Sequence, residues 1–224
     1  MDQIQHYIKK HGIDLCFDTD MSGHMSLMHY DRGENILASG DPMDYFYFIV
    51  EGKAKIFLRL ENGKSLLLRF ARPLSELGSA EIFRTPRVAN SCVQSLYGTT
   101  VIRIPFTAID QYAIHDVTFM QFIVKRLSHM LATASNAHSL NTSYPFKNRL
   151  ASYLISITRT DLERIDEIHI EQFSDLATFL GTSYRHLSRV VTALEREGII
   201  KKEKRKLIIL DAKRLEELSG GFYE

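Results

Sequence analysis

Apolar and polar positions follow three different rhythms along this chain. From about Met25 to Pro105, short apolar runs of strand length are separated by Gly33, Gly40 with Asp41-Pro42, Glu51-Gly52, Asn62-Gly63 and Gly78. This punctuation predicts an antiparallel barrel or sandwich and is too dense for a helical bundle. Asn62-Gly63, between the runs Ile56 to Leu60 and Ser65 to Phe70, marks a hairpin, because both residues tolerate the positive φ of a tight turn. From Phe106 to about Asn141 there is neither Gly nor Pro, and the period becomes helical. Met120, Ile123, Leu127, Met130, Ala134 and Ala137 recur at spacings of 3 and 4, a heptad seam that implies a partner helix. An ordinary buried helix is the alternative reading. Phe119 and Phe122 lie outside that seam, placed to pack the same helix on the barrel.

Tyr144-Pro145 ends the long helix, and Asn141 to Ser143 supply turn chemistry, so a hinge falls there. A further helix follows, with Phe146, Leu150, Tyr153, Leu154 and Ile157 on its apolar face. From Phe173 to Leu210 the pattern reads as helix, tight turn, second helix and basic hairpin. Ser174 can cap the first helix, whose apolar positions are Leu176, Ala177 and Leu180, and Gly181 permits the sharp turn. Ser183 caps the second helix. There Leu187, Val190, Val191 and Leu194 form a buried stripe, leaving Tyr184, Arg185, Ser188, Arg189 and Thr192 outward. One side packs while the other offers guanidinium, hydroxyl and aromatic groups, the division needed to read base edges. The predicted domains are 1–115, a sensor domain with an N-terminal helix; 116–143, the long helix and hinge; and 144–224, the helix-turn-helix domain.

Composition narrows the function classes. The 224 residues are 45% hydrophobic, enough for two domains. Lys plus Arg number 28 against 27 Asp plus Glu, so the whole molecule is no general polyanion binder. The basic excess is local: between Gly181 and Arg214 ten Lys or Arg stand against four acids. No signal-peptide pattern opens the chain and no run approaches the roughly 20 apolar residues of a membrane span, so a cytoplasmic protein with no membrane partner is expected. No GxSxG, HExxH, GxxxxGK or glycine-rich dinucleotide loop occurs, and an enzyme is not expected. Cys16 and Cys92 are the only cysteines, which rules out a disulfide scaffold and a four-cysteine cluster within one chain. His6, His11, His24 and His29 flank Cys16, but their spacing fits no ligand motif, and no metal site is expected.

Gly33-Glu34, Gly40, Asp44, Tyr47, Ile49, Gly52 and Glu76-Leu77-Gly78, followed by Asp175-Leu176-Ala177, Leu180-Gly181, Ser183 and Arg189-Val190, resemble the Crp/Fnr family of bacterial transcription regulators. The resemblance covers nearly the whole chain. Within the family, Phe146 to Ala151 and Ser183 to Leu187 are similar to the YeiL branch. The resemblance implies an α+β fold: an N-terminal antiparallel β-roll of cyclic-nucleotide-binding type, a long dimerisation helix and a C-terminal winged helix-turn-helix. It also implies a homodimer on two-fold symmetric promoter DNA, RNA polymerase as a further partner, and a signal received at the β-roll.

DNA contacts are expected from Thr182, Ser183, Tyr184, Arg185, Ser188 and Arg189, with Arg189 at a position where the resemblance implies base reading and Tyr184 either on DNA or packed at the turn, and Lys201, Lys202, Lys204 and Arg205 of the wing are expected on phosphates. Tyr184 and Arg185 stand where relatives that read a TGTGA-type half-site carry Arg and Glu, so a different half-site is expected. At the β-roll, Glu76, Gly78, Arg84, Arg87 and Asn90 form the candidate effector pocket. Ala89 and Asn90 stand where cyclic-AMP binders carry an Arg and a Ser or Thr, so cyclic-AMP binding in the usual manner is not expected. An intrachain iron-sulfur cluster of the family type is excluded, because Cys16 is the one N-terminal cysteine. The alternative function is a β-roll ligand-binding or interaction module with little specific DNA binding.

Overall fold

The apolar runs from Ser26 to Pro105 become six strands. They are β1 Ser26–Tyr30, β2 Asn35–Leu37, β3 Tyr45–Arg59, β4 Ser65–Ala71, β5 Glu76–Leu77 and β6 Cys92–Pro105. The computed structural model describes residues 3–61, 63, 65–143, 145–158, 167–169 and 173–219, with the side chains of the long helix described as far as Leu131. The strands form one sheet in the order β1-β6-β3-β4, with β2 also on β6 and β5 also on β3. The β1–β6, β2–β6 and β3–β5 pairings are antiparallel, as expected for short runs broken by turn residues. Gly63, after the undescribed Asn62, has φ +77°, the left-handed conformation that a hairpin turn uses.

The chain divides into two units, residues 1–55 with 71–141, and residues 56–70 with 142–224. In the first, α1 (Gln3–His11) precedes the sheet, and a helical turn, α2 (Phe106–Ala108), follows it. Next comes α3, Val117–Ser143. Asp116 starts α3: its buried carboxylate accepts from the N–H of Phe119 at 2.9 Å, Asp18 at 2.7 Å and Thr19 at 3.0 Å. Phe119 is fully buried against Phe17 and Phe46, and Phe122 lies 5.8 Å from Phe48. The helix therefore helps close its own unit's core.

In the second unit, α4 (Phe146–Thr158) buries Leu150, Leu154, Ile155 and Ile157 and packs along α7 (Ala212–Ser219). The other elements are α5 Phe173–Phe179, α6 Tyr184–Arg196 and the strands β7 Glu167–His169, β8 Ile200–Glu203 and β9 Lys206–Ile209, paired in the order β7-β9-β8. Residues 56–70, the distal half of the β3–β4 hairpin, belong to this unit. There Phe57 meets Phe179 at 6.3 Å, Phe70 meets Tyr153 at 6.2 Å, and Tyr153 meets Phe179 at 6.1 Å. Ring pairs at these separations prefer edge-on and tilted geometries, as found here.

Two details depart from the sequence reading. Ser174 lies within helix α5 instead of at its cap; its carbonyl accepts from the Thr178 hydroxyl. In α3, Ile123 is 1% exposed and turned into its own unit's core, so it does not belong to an outward seam. Val117 (63% exposed), Val124 (61%) and Leu131 (69%) are outward instead, with Met120 and Leu127 half-buried between them. These five recur at 3 and 4, an apolar stripe that takes in Val117, Val124 and Leu131 in place of Ile123. Met130 is half-buried, while the Ala134 and Ala137 side chains lie outside the described residues.

Candidate nucleic-acid interface

The local sequence builds the helix-turn-helix by hydrogen bonds that need particular residues. At the end of α5, Leu180 N–H reaches Leu176 C=O, and Thr182 N–H reaches Ala177 C=O at 2.8 Å. Gly181 has φ +64°, the left-handed conformation that lets the chain turn sharply before α6. Ser183 is extended and its Oγ accepts the His186 N–H at 3.2 Å, satisfying one of the otherwise unbonded donors of the first turn.

Helix α6 is strongly two-faced. Leu187, Val191 and Leu194 are buried and Val190 is half-buried, whereas Tyr184, Arg185, Arg189 and Thr192 are exposed and Ser188 and Thr182 are half-exposed. Arg185 and Arg189 are one turn apart, so their guanidinium groups leave the same face. Tyr184, at 53% exposure, is not packed into the turn. Each arginine carries a rigid fork of donors, suited to guanine O6 and N7 or to phosphate oxygens.

The wing is less uniform than its sequence. Lys204, with φ +38°, and Arg205 are exposed at the β8–β9 turn. Lys201 is exposed but pairs with Glu203 at 2.6 Å, a hydrogen bond that raises its ammonium above the ordinary lysine range. Lys202 departs from the expected phosphate contact. Its ammonium lies 4.3 Å from the centroid of the Phe173 ring, and its backbone N–H donates to Glu195. Alternation along a strand sends Lys202 to the opposite face from Lys201, toward the packed side. This was invisible in a run of like charges.

In the first unit Arg84, Arg87 and Asn90 lie near one another, Arg84 bonded to Asn90 and lining one cavity with Arg87, whereas Glu76 and Gly78 are engaged elsewhere. Glu76 is buried and paired with Arg126 of α3, on the strand β5. Gly78 has φ +116°, and a Cβ there would stand 3.1 Å from both Phe46 and Phe106, so backbone geometry and packing require this glycine. Arg87 donates through Nε and Nη2 to the Ile82 carbonyl and through both terminal nitrogens to Asp110, at 2.6 and 2.7 Å, while lying 4.5 Å over Phe106. The Asp110 hydrogen bond raises Arg87 further above its usual value. Arg84 is bonded to Asn90, whose amide donates to Glu81 at 2.6 Å. Ala89 is 3% exposed. A cavity of about 700 Å³ runs beside Arg84 and Arg87, flanked by Asp44 and Asp110. Its charges of both signs were not read from the sequence, because Asp44 and Asp110 are 66 positions apart.

The cysteines and histidines have individual roles. Burial pushes the Cys16 thiol up to about 11, and Cys92 is buried, its sulfur accepting the Ser39 N–H. His11 bonds to Val50 C=O, His24 stacks on Tyr112, and His29 bonds to Thr100. Among the described residues, no three His, Cys, Asp or Glu side chains gather as a metal site.

Comparison with known proteins places this geometry. A cyclic nucleotide-binding domain model matches residues 27–116 and a Crp-like helix-turn-helix domain model matches residues 148–218. Regulatory protein YeiL of Escherichia coli O157:H7 is 25% identical over 204 residues, 91% of this chain and 90% of that protein. Transcriptional regulator SdrP of Thermus thermophilus is 25% identical over 195 residues, covering 85% of this chain and 92% of that one. The crystal structure of a Crp/Fnr-family transcriptional regulator from Thermus thermophilus shares the fold, with a TM-score of 0.68 at 24% identity over 87% of this chain and 98% of that one. FixK2 from Bradyrhizobium japonicum does so with a TM-score of 0.62 at 19% identity, over 88% and 98% respectively. With both domains matched in order on one chain and an outward cationic face on the second helix of the helix-turn-helix, this protein joins a cyclic nucleotide-binding domain to a Crp-like helix-turn-helix domain and is similar over most of its length to transcription regulators of Crp/Fnr type.

Proposed function

We propose that the chain acts as a homodimer in the cytoplasm, each copy laying α6 in the major groove of one half of a two-fold symmetric promoter site. Arg185 and Arg189 read base edges, Tyr184 and Ser188 add contacts, Thr182 and Ser183 touch phosphate, and Lys204 and Arg205 grip the backbone without reading sequence. Lys201 shares its charge with Glu203 and contributes less. The single observation that carries this reading is the exposure of Arg185 and Arg189 on one face of a helix whose opposite face is core.

The stripe Val117, Met120, Val124, Leu127 and Leu131 supports the dimer, since an exposed heptad of apolar residues on a long helix favours pairing with its own copy. RNA polymerase is the further partner that such a regulator addresses from the promoter. The signal at the β-roll differs from cyclic AMP bound in the usual manner. Arg84 and Arg87 are engaged by protein acceptors, Ala89 is buried and neutral, and Glu76 is answered by Arg126, so the residues do not fit a cyclic phosphate.

Selection of duplexes from a randomised library by the full chain tests the reading. The expected product is an inverted repeat whose half-sites are spaced by about 34 Å or a multiple of it. Val124→Glu, which places a charge in the stripe, is expected to sediment as a monomer and to lose the second half-site. Enrichment of no sequence would favour an interaction module over a DNA reader.

A further inference from the structure

His186 lies on the recognition helix between its packed and its outward face, and its ring makes two contacts of different kinds. Its edge meets the Phe146 ring of α4, with centroids 5.2 Å apart and planes at 62°. Its Nδ1 lies 3.2 Å from Nη2 of Arg189, one turn along α6. The other face of the contact is also built up: the Arg149 guanidinium lies 5.2 Å over the same Phe146 ring, and its Nη1 donates to the Leu180 carbonyl at 3.3 Å. The backbone N–H of His186 is taken by the Ser183 cap. His186 is half-buried while Arg189 is exposed, so the ring links scaffold to surface.

A guanidinium donates hydrogen bonds and accepts none. The contact therefore requires a lone pair on His186 Nδ1, with the ring hydrogen on Nε2. We propose that His186 is a positioning residue for Arg189: Phe146 fixes the ring, and the ring's Nδ1 fixes the guanidinium before DNA arrives. This inference rests on the reading of Arg189 as a base contact. A long arginine side chain otherwise samples many rotamers, and ordering it beforehand reduces the entropy lost when it engages a base edge. The benefit falls on sequence-specific binding, because a phosphate can be met by many arginine rotamers whereas a base edge accepts few.

The test is a double-mutant cycle on the full chain, with a duplex that the wild-type protein has selected from a randomised library and a random-sequence pool of equal length. His186→Phe keeps a ring against Phe146 and removes the acceptor. It is expected to lower the selected-to-random affinity ratio about three- to tenfold, the worth of one modest hydrogen bond, and to leave affinity for the random pool and the melting temperature unchanged. In an Arg189→Ala background the same substitution is expected to change nothing. His186→Gln, which restores an acceptor without a ring, is expected to recover most of the ratio. A loss that persists in the Arg189→Ala background, an equal loss on both duplexes, or no loss at all overturns the proposal. Arg189→Ala that leaves the ratio intact overturns the reading of Arg189 itself, and this inference falls with it.

Discussion

Charged side chains around residues 76–126 and those on the outer face of α6 are answered in opposite ways. In the first region each guanidinium named has a protein partner: Arg126 has Glu76, Arg87 has Asp110 and a carbonyl, and Arg84 has Asn90. On α6, Arg185 is exposed and Arg189, also exposed, meets a histidine of its own helix. A charge whose hydrogen bonds are internal stabilises a fold or fixes a loop, since leaving such a group without its partner is costly. A donor held outward on a rigid helix is available to a ligand. Arginines occur in both stretches of the sequence; what they do differs.

The contrast makes separable predictions, the largest on the internally answered side. Asp116→Ala removes three N–H bonds at the start of α3 and is expected to lower stability by about 2 to 3 kcal/mol, read as a fall in melting temperature. Burial acts to raise the Asp116 pKa, but the N–H groups of Phe119, Thr19 and Asp18 outweigh it and hold the carboxyl below its ordinary value. A depressed folded-state pKa gives stability that is fully present above the unfolded value, near about 4, and is lost as pH falls through the folded value. The gap between wild type and Asp116→Ala should therefore narrow below about pH 4. An unchanged gap at lower pH would show that the helix start depends on packing and not on the carboxylate.

Arg185→Ala should do the reverse. Melting is expected to stay within about 0.5 kcal/mol of wild type, as for exposed positions generally, while discrimination between selected and random duplexes falls about tenfold or more. A loss of stability instead would place Arg185 with the internally answered group. The smallest effect is expected from Lys204→Ala with Arg205→Ala. Both duplexes should weaken together, and, with two such residues lost from each of the two copies, the slope of log affinity against log salt should flatten by about 4. Loss confined to the selected duplex would make the wing a reader of sequence.

Much of this was legible along the chain. Gly and Asn-Gly punctuation marked the strands, and the Ser183 cap with Leu187, Val191 and Leu194 marked α6 and its outer face. The register of α3 was not legible, because Phe119, Met120, Phe122, Ile123, Val124 and Leu127 are apolar around most of the helix and satisfy the 3,4 pattern in more than one way. Nor could the sequence separate Lys202, stacked on Phe173, from Lys204 in the turn.

By itself, then, the sequence determined which segments are strand or helix, where the turns fall and which face of α6 is polar. Those properties depend on φ preferences, caps and periodicity within a few residues. Tertiary structure decided which α3 face meets its own sheet, which arginines are answered, and that His186 bridges Phe146 and Arg189. Each of these depends on groups brought together from separate parts of the chain or turned toward each other by helix geometry, and local periodicity carries no record of the partner across the gap.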